Sequence, residues 1–263
     1  GIRNMKRIRK RITAAVLLAA FCCVMMTGCG SQNTNQLYSQ VKERGILTAA
    51  VLQDNAPYSW FDAQSGAYSG IEIDILNAVA QSLGVTLNYY PTSQAGLTEA
   101  VAAGEADIAI GRILSTNSGQ QVDLSTHYMT GSLYVVTARG RFAWTMNALE
   151  GEPIGLSRRL SSDADLELYT IDNTERVYYD VLDTVEQDLL AGTIAGFFCY
   201  EEQARELIQT ERLQAQTITD YTPERYCIAV QQNNPDMTDA INEVIRTLTE
   251  NGTIESLILS YRS

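Results

Sequence analysis

Two stretches of the chain, 88 residues apart, share one pattern of hydrophobic and polar positions. Thr98–Arg112 and Glu186–Tyr200 each begin with apolar residues at helical spacing, pass through an Ala-Gly pair and end in a β-prone run. A glycine at that point suits the left-handed position that closes a helix, so we expect the helices to end at Gly104 and Gly192. Any two helix-turn-strand units look alike, but this pair suggests two lobes of similar build.

Around the first stretch, apolar runs alternate with amphipathic helical patterns. Ile46–Leu52 has the length and β-propensity of a buried strand, and Val85–Tyr90 and Asp107–Ile110 follow as further strands. Asp74 and Ser93 are predicted to cap the intervening helices. This order predicts a parallel, doubly wound sheet. Other elements predicted here are an amphipathic turn at Leu37–Arg44 and a short extended piece at Ile71–Ile73.

After the loop Ala138–Glu152 the pattern restarts, which predicts a second lobe. The β-prone runs Ser132–Thr137 and Arg225–Val230 would lead out of the first lobe and back into it. The predicted strands of the second lobe are Pro153–Ser157, Glu167–Ile171, Ile194–Cys199 and Leu213–Thr217. Its predicted helices begin at Ser161 or Ser162, at Asp183 and at Glu201, and closing helices run from Asp236 to Glu250 and from Thr253.

These elements predict an α/β protein with two doubly wound parallel-sheet lobes, a two-strand hinge and a ligand cleft between the lobes. We expect residues 37–135 plus 229–263 to form the first lobe and residues 136–228 the second, with hinge strands at its two ends. The crossings would lie near Val135–Thr137 and Tyr226–Ile228. A single larger α/β domain is the alternative.

In such sheets, ligands bind outside the carboxyl ends of the strands. The loop after the first strand carries Asp54, Tyr58 and Trp60, and Gly111–Thr116 follows the third strand. We therefore expect these segments to face the cleft. The aromatic residues could instead belong to the core or to contacts between the lobes.

Residues 1–28 have the pattern of an export signal. The basic stretch Lys6–Arg11 precedes the apolar run Ile12–Met26, which is short for a membrane span. The small residues directly before Cys29 resemble the bacterial lipobox, which implies cleavage before Cys29 and thioether lipidation of it. Residues 29–36 would then be a polar tether. An ordinary signal peptide or an uncleaved anchor, with Cys29 incidental, is the alternative.

Charge and composition exclude several classes of function. From residue 29 onward the chain has 13 basic and 31 acidic residues. Such an acidic protein repels the phosphate backbone of nucleic acids, so we expect no nucleic-acid partner. With His127 as the single histidine and no CxxC pair, we expect no metal site, no cofactor and no catalytic set. Cys199 and Cys227, the cysteines of the body, could form a disulfide or stay as buried thiols.

The order and spacing of several segments resemble the family 3 extracellular solute-binding proteins, which serve ABC transporters of polar amino acids. The resemblance runs from about Gly45 to Tyr261. It implies capture of a small solute between two hinged lobes and delivery to a membrane permease. We expect the protein to be a monomer, exported and lipid-anchored to the outer face of the bacterial cell membrane. The matching segments are GILTAAVLQDNAPYSWFD, GIEIDILNAVAQSLGV, LTEAVAAGEADIAI followed by Thr116, DLSTHY, LLAGTIAGFFCYEEQA, RYCIAV and NGTIESLI.

The chain departs from the family where ligand chemistry is decided. The position of the family's carboxylate-clamping arginine falls on Gly119, and that of its ammonium-binding aspartate on Tyr200. Arginine binds carboxylates bidentately, so Arg112 and the neighbouring Arg158 and Arg159 suggest a ligand that is acidic or carries a carboxylate. Each arginine could instead pair with a surface acid, such as Asp163 or Asp165 for the latter two.

Three further residues are candidates for ligand contacts. The resemblance places Ser161 in a loop of small residues at a helix N-terminus. Tyr200 and Glu201 follow the strand of the second repeated unit, where Glu201 could replace the missing aspartate or simply be a helix first-turn acid. We expect His127 to be structural.

Two other functions fit the same scaffold. The first is a ligand-sensing module for a membrane signalling partner. The second is an enzyme similar to the dehydratases of cyclohexadienyl acids, for which Glu201 would be the candidate general acid. We expect a binding protein and no enzyme.

Overall fold

The computed structural model describes residues 34–117, 121–168 and 170–261, so the predicted signal, Cys29 and Gly119 lie outside the described residues. The helices are α1 (Leu37–Arg44), α2 (Ile71–Leu83), α3 (Gly96–Ala102), α4 (Ser162–Leu168), α5 (Val185–Ala191), α6 (Glu201–Leu207), α7 (Pro235–Glu250) and α8 (Thr253–Ser260), with a 3₁₀ turn at Met146–Leu149. The strands are β1 (Ile46–Val51), β2 (Asp54–Asn55), β3 (Ser59–Asp62), β4 (Ala67–Ser69), β5 (Thr86–Pro91), β6 (Ile108–Leu114), β7 (Val122–Gly131), β8 (Tyr134–Ala138), β9 (Ile154–Ser157), β10 (Arg176–Tyr179), β11 (Gly196–Cys199), β12 (Leu213–Thr217) and β13 (Glu224–Gln231).

Two five-stranded sheets form the two lobes of this α/β protein. The first has the order β5-β1-β6-β13-β7, and the second has the order β10-β9-β11-β8-β12. In the first sheet β1 is parallel to β5 and β6, as predicted, whereas β13 is antiparallel to both of its neighbours. The second sheet has the same mixture, with β10, β9 and β11 parallel and β8 and β12 antiparallel.

Both faces of the first sheet are covered, which makes it doubly wound. On one face Leu47 of β1 belongs to a core with the apolar side of α2 and α7. On the other face Ala50 and Ala109 pack with Leu97 and Val101 of α3. Successive residues of a strand point to opposite faces of the sheet, so neighbouring residues of β1 can pack into different cores. Because both faces are covered, the carboxyl ends of the strands are the free edge at which a site can form.

The chain passes between the sheets twice. The first passage joins β7 to β8 at residues 131–134, and the second joins β12 to β13 at residues 217–224. Both lie a few residues before the expected crossings, because the two apolar runs are interior strands with buried side chains. All of β13 belongs to the first sheet, although residues up to 228 were expected in the second lobe.

Three local predictions were wrong. Ile71–Ile73 is helical, since α2 begins directly after Gly70, whose positive φ of 129° ends the preceding turn. Asp74 therefore caps nothing; it lies in the first turn and accepts a hydrogen bond from the Tyr261 hydroxyl at 3.0 Å. No strand forms in the described residues of the segment expected at 167–171: Glu167 and Leu168 are the last residues of α4, residues 170 and 171 lie in a turn, and β10 pairs with β9 instead.

The strand β7 has no counterpart in the prediction. It lies at the edge of the first sheet, exposes Thr126 and His127, and pairs with β13 through two register shifts. An irregular edge strand lacks regular alternation, so periodicity does not reveal it. Among the described residues, no helix is long and apolar enough to cross a membrane.

Candidate functional site

A cavity of about 610 Å³ lies between the two lobes, at the carboxyl ends of β1, β6, β9 and β11. Its volume is typical of small-molecule sites. The first lobe contributes Leu52, Gln53, Asp54, Asn55, Thr92, Gln94, Arg112, Leu114, Asn117, Glu224 and Tyr226, and the second contributes Arg158, Arg159, Leu160, Ser161, Ser162 and Tyr200.

Arg112 is one of the three cavity arginines that the sequence singled out, and it is much more buried than Arg158. Its guanidinium carbon lies 4.8 Å from the ring centroid of Tyr58 and 4.9 Å from that of Tyr200. Its Nη1 lies 3.9 Å from Glu202 Oε1, and its side chain is only 11% exposed. In the described part of the chain Arg112 Nε has no hydrogen-bond partner. The guanidinium is therefore held by two ring faces and one carboxylate rather than by a hydrogen-bonded ion pair.

The backbone of Arg112 is held from behind by a buried acid. Arg112 has a positive φ of 50°, and its N–H donates to Glu72 Oε1 at 2.9 Å. The same oxygen accepts the Tyr128 hydroxyl at 2.5 Å. Burial raises the pKa of Glu72, against the lowering effect of these hydrogen bonds. This network fixes the turn in β6 that points Arg112 at the cleft.

Gly111, before Arg112, is confined by its surroundings. Its φ is 155°, and a Cβ there would meet Leu97 Cδ1 at 2.5 Å. Its carbonyl accepts a hydrogen bond from Gln94 Nε2 at 2.7 Å. Gly111 therefore allows the close approach of β6 and α3, but it does not itself line the cavity.

Glu224, the first residue of β13, is a buried carboxylate on the cavity wall. Its Oε2 accepts the hydroxyls of Tyr200 at 2.9 Å and Tyr226 at 3.2 Å, and its Oε1 accepts that of Tyr221 at 3.1 Å and that of Ser161. Burial first, and then the charge of Glu224, raises the pKa of Tyr200 and Tyr221, so both hydroxyls stay protonated donors. No ion pair among the described residues includes Glu224.

Arg158 and Arg159 both line the cavity, but they differ in their contacts. Arg159 Nη2 reaches across the cleft to Asn55 Oδ1 at 3.3 Å and to the Ala56 carbonyl at 3.4 Å. The side chain of Arg158 is 59% exposed, with its Nε 3.7 Å from Asp180 Oδ1. The alternative that an arginine pairs with a surface acid therefore fits Arg158, and the acid is Asp180. Asp165 accepts the Tyr178 hydroxyl instead.

Of the other predicted ligand residues, Asp54, Ser161 and Tyr200 line the cavity and five, including Gly111, do not. Tyr58 is buried beneath Arg112, and Trp60 meets Tyr261 edge-on with centroids 5.8 Å apart. Thr116 lies exposed in the turn after β6. Glu201 lines a separate cavity of about 270 Å³, together with Tyr58 and Glu202. Ligand contacts for all of these stay predictions.

Sequence reasoning missed several residues of the cavity. Thr92 and Gln94 follow the carboxyl end of β5, so the rule that located Asp54 could have found them. Glu224 gave a weaker signal, an acid at the start of a strongly apolar strand. Asn55 lies beside Asp54 in the loop that was expected to face the cleft, whereas Tyr226 gave no signal, because its place depends on how the two lobes meet.

The described residues contain no cluster of His, Cys, Asp and Glu that could hold a metal ion. Cys199 and Cys227 are buried free thiols, so the disulfide left open by the sequence is not formed. His127 is exposed on β7 and does not line the cavity.

Comparisons with known proteins agree with this architecture. The L-cystine-binding protein TcyJ of Escherichia coli K12 is 24% identical over 225 residues, which are 84% of each chain. Cyclohexadienyl dehydratase of Pseudomonas aeruginosa is 30% identical over 95 residues, 36% of this chain and 35% of its own. The structure of an ancestral cationic amino acid solute-binding protein, AncCDT-1, superposes with a TM-score of 0.70 at 19% identity, covering 86% of this chain and 99% of the other.

These structural matches establish the fold as that of the type II periplasmic binding proteins. A sequence model of one family matches residues 47–262, nearly the whole described body. The chain belongs to the bacterial extracellular solute-binding proteins, family 3.

Proposed function

We propose that this solute-binding protein captures a small polar solute with a carboxylate group, such as an amino acid, in the cavity between its lobes. The observation that carries the proposal is the distribution of charge around that cavity. Arg112 enters it from the first lobe, and Arg158 and Arg159 enter it from the second. Arginine forks match carboxylates in geometry, and in an acidic protein their concentration at one cavity favours an anionic group there. Arg159 is better placed for this contact than Arg158, which is exposed beside Asp180.

The cavity also carries carboxylates, which favours a zwitterion over a simple anion. Glu224 and Asp54 both line it, and Glu224 has only neutral hydroxyl donors as partners in the described chain. A buried carboxylate without a countercharge favours an ammonium group nearby. The E. coli relative is named for L-cystine, which makes cystine and other amino acids the first compounds to test.

Capture works by hinge closure. The ligand touches both lobes, so it binds the closed arrangement better than an open one and shifts the population towards it. The two passages at residues 131–134 and 217–224 are the segments about which the lobes would move.

A thermal-shift screen of residues 30–263 against amino acids, cystine, dicarboxylates, small peptides and sugar acids tests the ligand class. A compound that binds the folded state raises Tm. Stabilisation by carboxylate-bearing compounds, but not by their amides or decarboxylated analogues, is the expected result. No shift with any compound would overturn solute capture and favour the sensing module.

The protein is a lipid-anchored monomer that delivers its ligand to an ABC permease at the outer face of the membrane. The signal pattern of residues 1–28 and the cysteine that follows support the anchor. Cys29→Ser should release the protein from membranes into the soluble fraction, and retention of the variant on membranes would contradict lipidation. Uptake of the identified ligand should require both this protein and the permease.

A dehydratase is the second candidate, and the observation that favours it is the place of Glu224. The acid first considered, Glu201, does not line the main cavity, whereas Glu224 is a buried acid on its wall. A general acid must lie within hydrogen-bond reach of the leaving group. Turnover of prephenate or arogenate by the purified protein would establish this activity, and binding of a solute without turnover would rule in favour of simple capture.

A further inference from the structure

The side chain of Arg112 occupies a site built for a cation. The ring of Tyr58, from the loop before α2, faces one side of its guanidinium, and the ring of Tyr200, before α6, faces another, at 4.8 and 4.9 Å. Glu202 of α6 supplies a carboxylate 3.9 Å from Nη1. Aromatic faces with a carboxylate are the groups by which proteins bind free cationic ligands. We call Tyr58, Tyr200 and Glu202 the cation slot.

The Arg112 side chain occupies the cation slot, but hydrogen-bonding groups of both Arg112 and the slot have no partner in the described residues. A separation of 3.9 Å is too long for a hydrogen bond, and within the described residues both Arg112 Nε and Glu202 Oε1 lack a hydrogen-bond partner. The two side chains are only 11% and 14% exposed, so water does little to compensate. The slot would therefore offer an unpaired carboxylate oxygen to another cation once the Arg112 side chain is removed.

The slot lies between the two cavities. Arg112 and Tyr200 line the cavity of about 610 Å³, while Tyr58 and Glu202 line the cavity of about 270 Å³. Removal of the Arg112 side chain would leave two aromatic rings and an acid open to the main cavity. With the side chain in place, that wall of the cavity is a guanidinium.

We propose that Arg112 is a specificity-determining residue. Its guanidinium occupies the position in the cation slot that the cationic group of a ligand would otherwise occupy. The cleft thereby rejects solutes with a cationic side chain and accepts those with a neutral or acidic one. This inference rests on the proposed function, since it assigns the substrate class of the same cavity. Rejection follows because a second cation would find the slot occupied by the Arg112 side chain and a like charge beside it.

The test compares L-arginine with L-citrulline, a ligand of nearly the same shape in which a neutral ureido group replaces the guanidinium. The protein itself should bind citrulline, or other neutral and acidic amino acids, at least about 10-fold more tightly than arginine, a difference of about 1.4 kcal/mol. Arg112→Ala should invert that preference in titration calorimetry. Equal or tighter binding of arginine by the unsubstituted protein would overturn the proposal.

Two further variants separate the slot from a general loss of positive charge. Arg112→Met removes the charge but keeps the slot filled, so it should not gain arginine binding. Arg112→Ala combined with Glu202→Gln should lose most of the gain, because the acid of the slot is gone. Gain of arginine binding in Arg112→Met equal to that in Arg112→Ala would contradict an occupied slot.

Methylguanidinium supplies a readout that needs no amino-acid binding. At millimolar concentration it should raise the Tm of Arg112→Ala but not that of Arg112→Met. If the unsubstituted protein binds no amino acid but methylguanidinium still stabilises Arg112→Ala selectively, the proposed function fails and the cation slot stands. Should Arg112→Ala not fold, arginine against citrulline on the unsubstituted protein still decides the proposal. Absence of selective stabilisation in folded Arg112→Ala would overturn it.

Discussion

The hydroxyl of Tyr200 donates a hydrogen bond to Glu224 Oε2 at 2.9 Å, which joins the second lobe to the strand that returns to the first. Tyr200 also accepts the N–H of Ser161 at 2.9 Å. One tyrosine therefore links a carboxylate of β13, the loop before α4 and the guanidinium of Arg112. Ligand contacts and contacts between the lobes share these side chains, so substitutions here should change binding and closure together.

Glu224→Gln should lower the free energy of unfolding by about 1–3 kcal/mol. The amide keeps the shape of the carboxylate but loses its charge, and its NH₂ cannot accept the hydroxyls that now donate to Glu224. Chemical denaturation checks the loss. The exposed Glu99→Gln, on α3, is the matched control and should change stability little. Equal stability of the two variants would contradict a stabilising role for the four hydroxyls that donate hydrogen bonds to Glu224.

Arg159→Ala should weaken ligand binding by about 10-fold, equivalent to about 1.4 kcal/mol, whereas Arg158→Ala should change it little. Arg159 reaches the first lobe through Asn55, and Arg158 lies exposed beside Asp180. Calorimetry with the ligand from the screen measures both. A larger effect at Arg158 than at Arg159 would contradict the choice of Arg159 as the ligand contact.

Glu72→Gln should flatten the dependence of Tm on pH. Burial raises the pKa of Glu72 in the folded protein above its unfolded value. The folded state then holds this proton more tightly, so the stabilisation is complete below the unfolded pKa and is lost as the pH rises through the folded pKa. Tm measured from acidic to neutral pH should fall less in Glu72→Gln than in the unsubstituted protein. Parallel curves would mean that Glu72 ionises as an ordinary glutamate.

The thiols of Cys199 and Cys227 should resist alkylation in the folded protein. Burial raises the pKa of the Cys227 thiol to about 11 and that of Cys199 well above its ordinary value, and the thiolate is the reactive form. In residues 30–263 these are the two cysteines. Mass spectrometry after iodoacetamide treatment should find neither modified until denaturant is added. Rapid labelling of either thiol in the native state would contradict its burial.

The sequence predicted best those elements whose pattern is local. The parallel strands β1, β5 and β6 were predicted because each is a short apolar run between helical patterns. Edge strand β7 was not predicted, because its polar residues face solvent and its pairing with β13 is irregular. Ile71–Ile73 was wrongly predicted as extended because Asp74 was taken as the helix cap, whereas α2 begins directly after Gly70.

At the candidate site, sequence spacing predicted which residues would stand near the cleft but not what each would touch. Arg112 was expected there from its place near the end of a strand, and it lines the cavity. Its ring partners come from segments far away in sequence, and one of them, Tyr200, was expected to contact the ligand rather than an arginine. Such contacts depend on the meeting of two lobes, on which local periodicity carries no information.

The position of β13 has a consequence for how the chain folds as it is made. Residues 134–217 supply every strand of the second sheet, so that sheet can assemble as soon as this continuous segment is available. The first sheet cannot be completed then, because β6 and β7 are separated by the strand that is made last. Until residues 224–231 arrive, both present unpaired edges, which are prone to aggregate. The aggregation-prone edges of the incomplete chain therefore lie in its amino-terminal half, although that half is synthesised first.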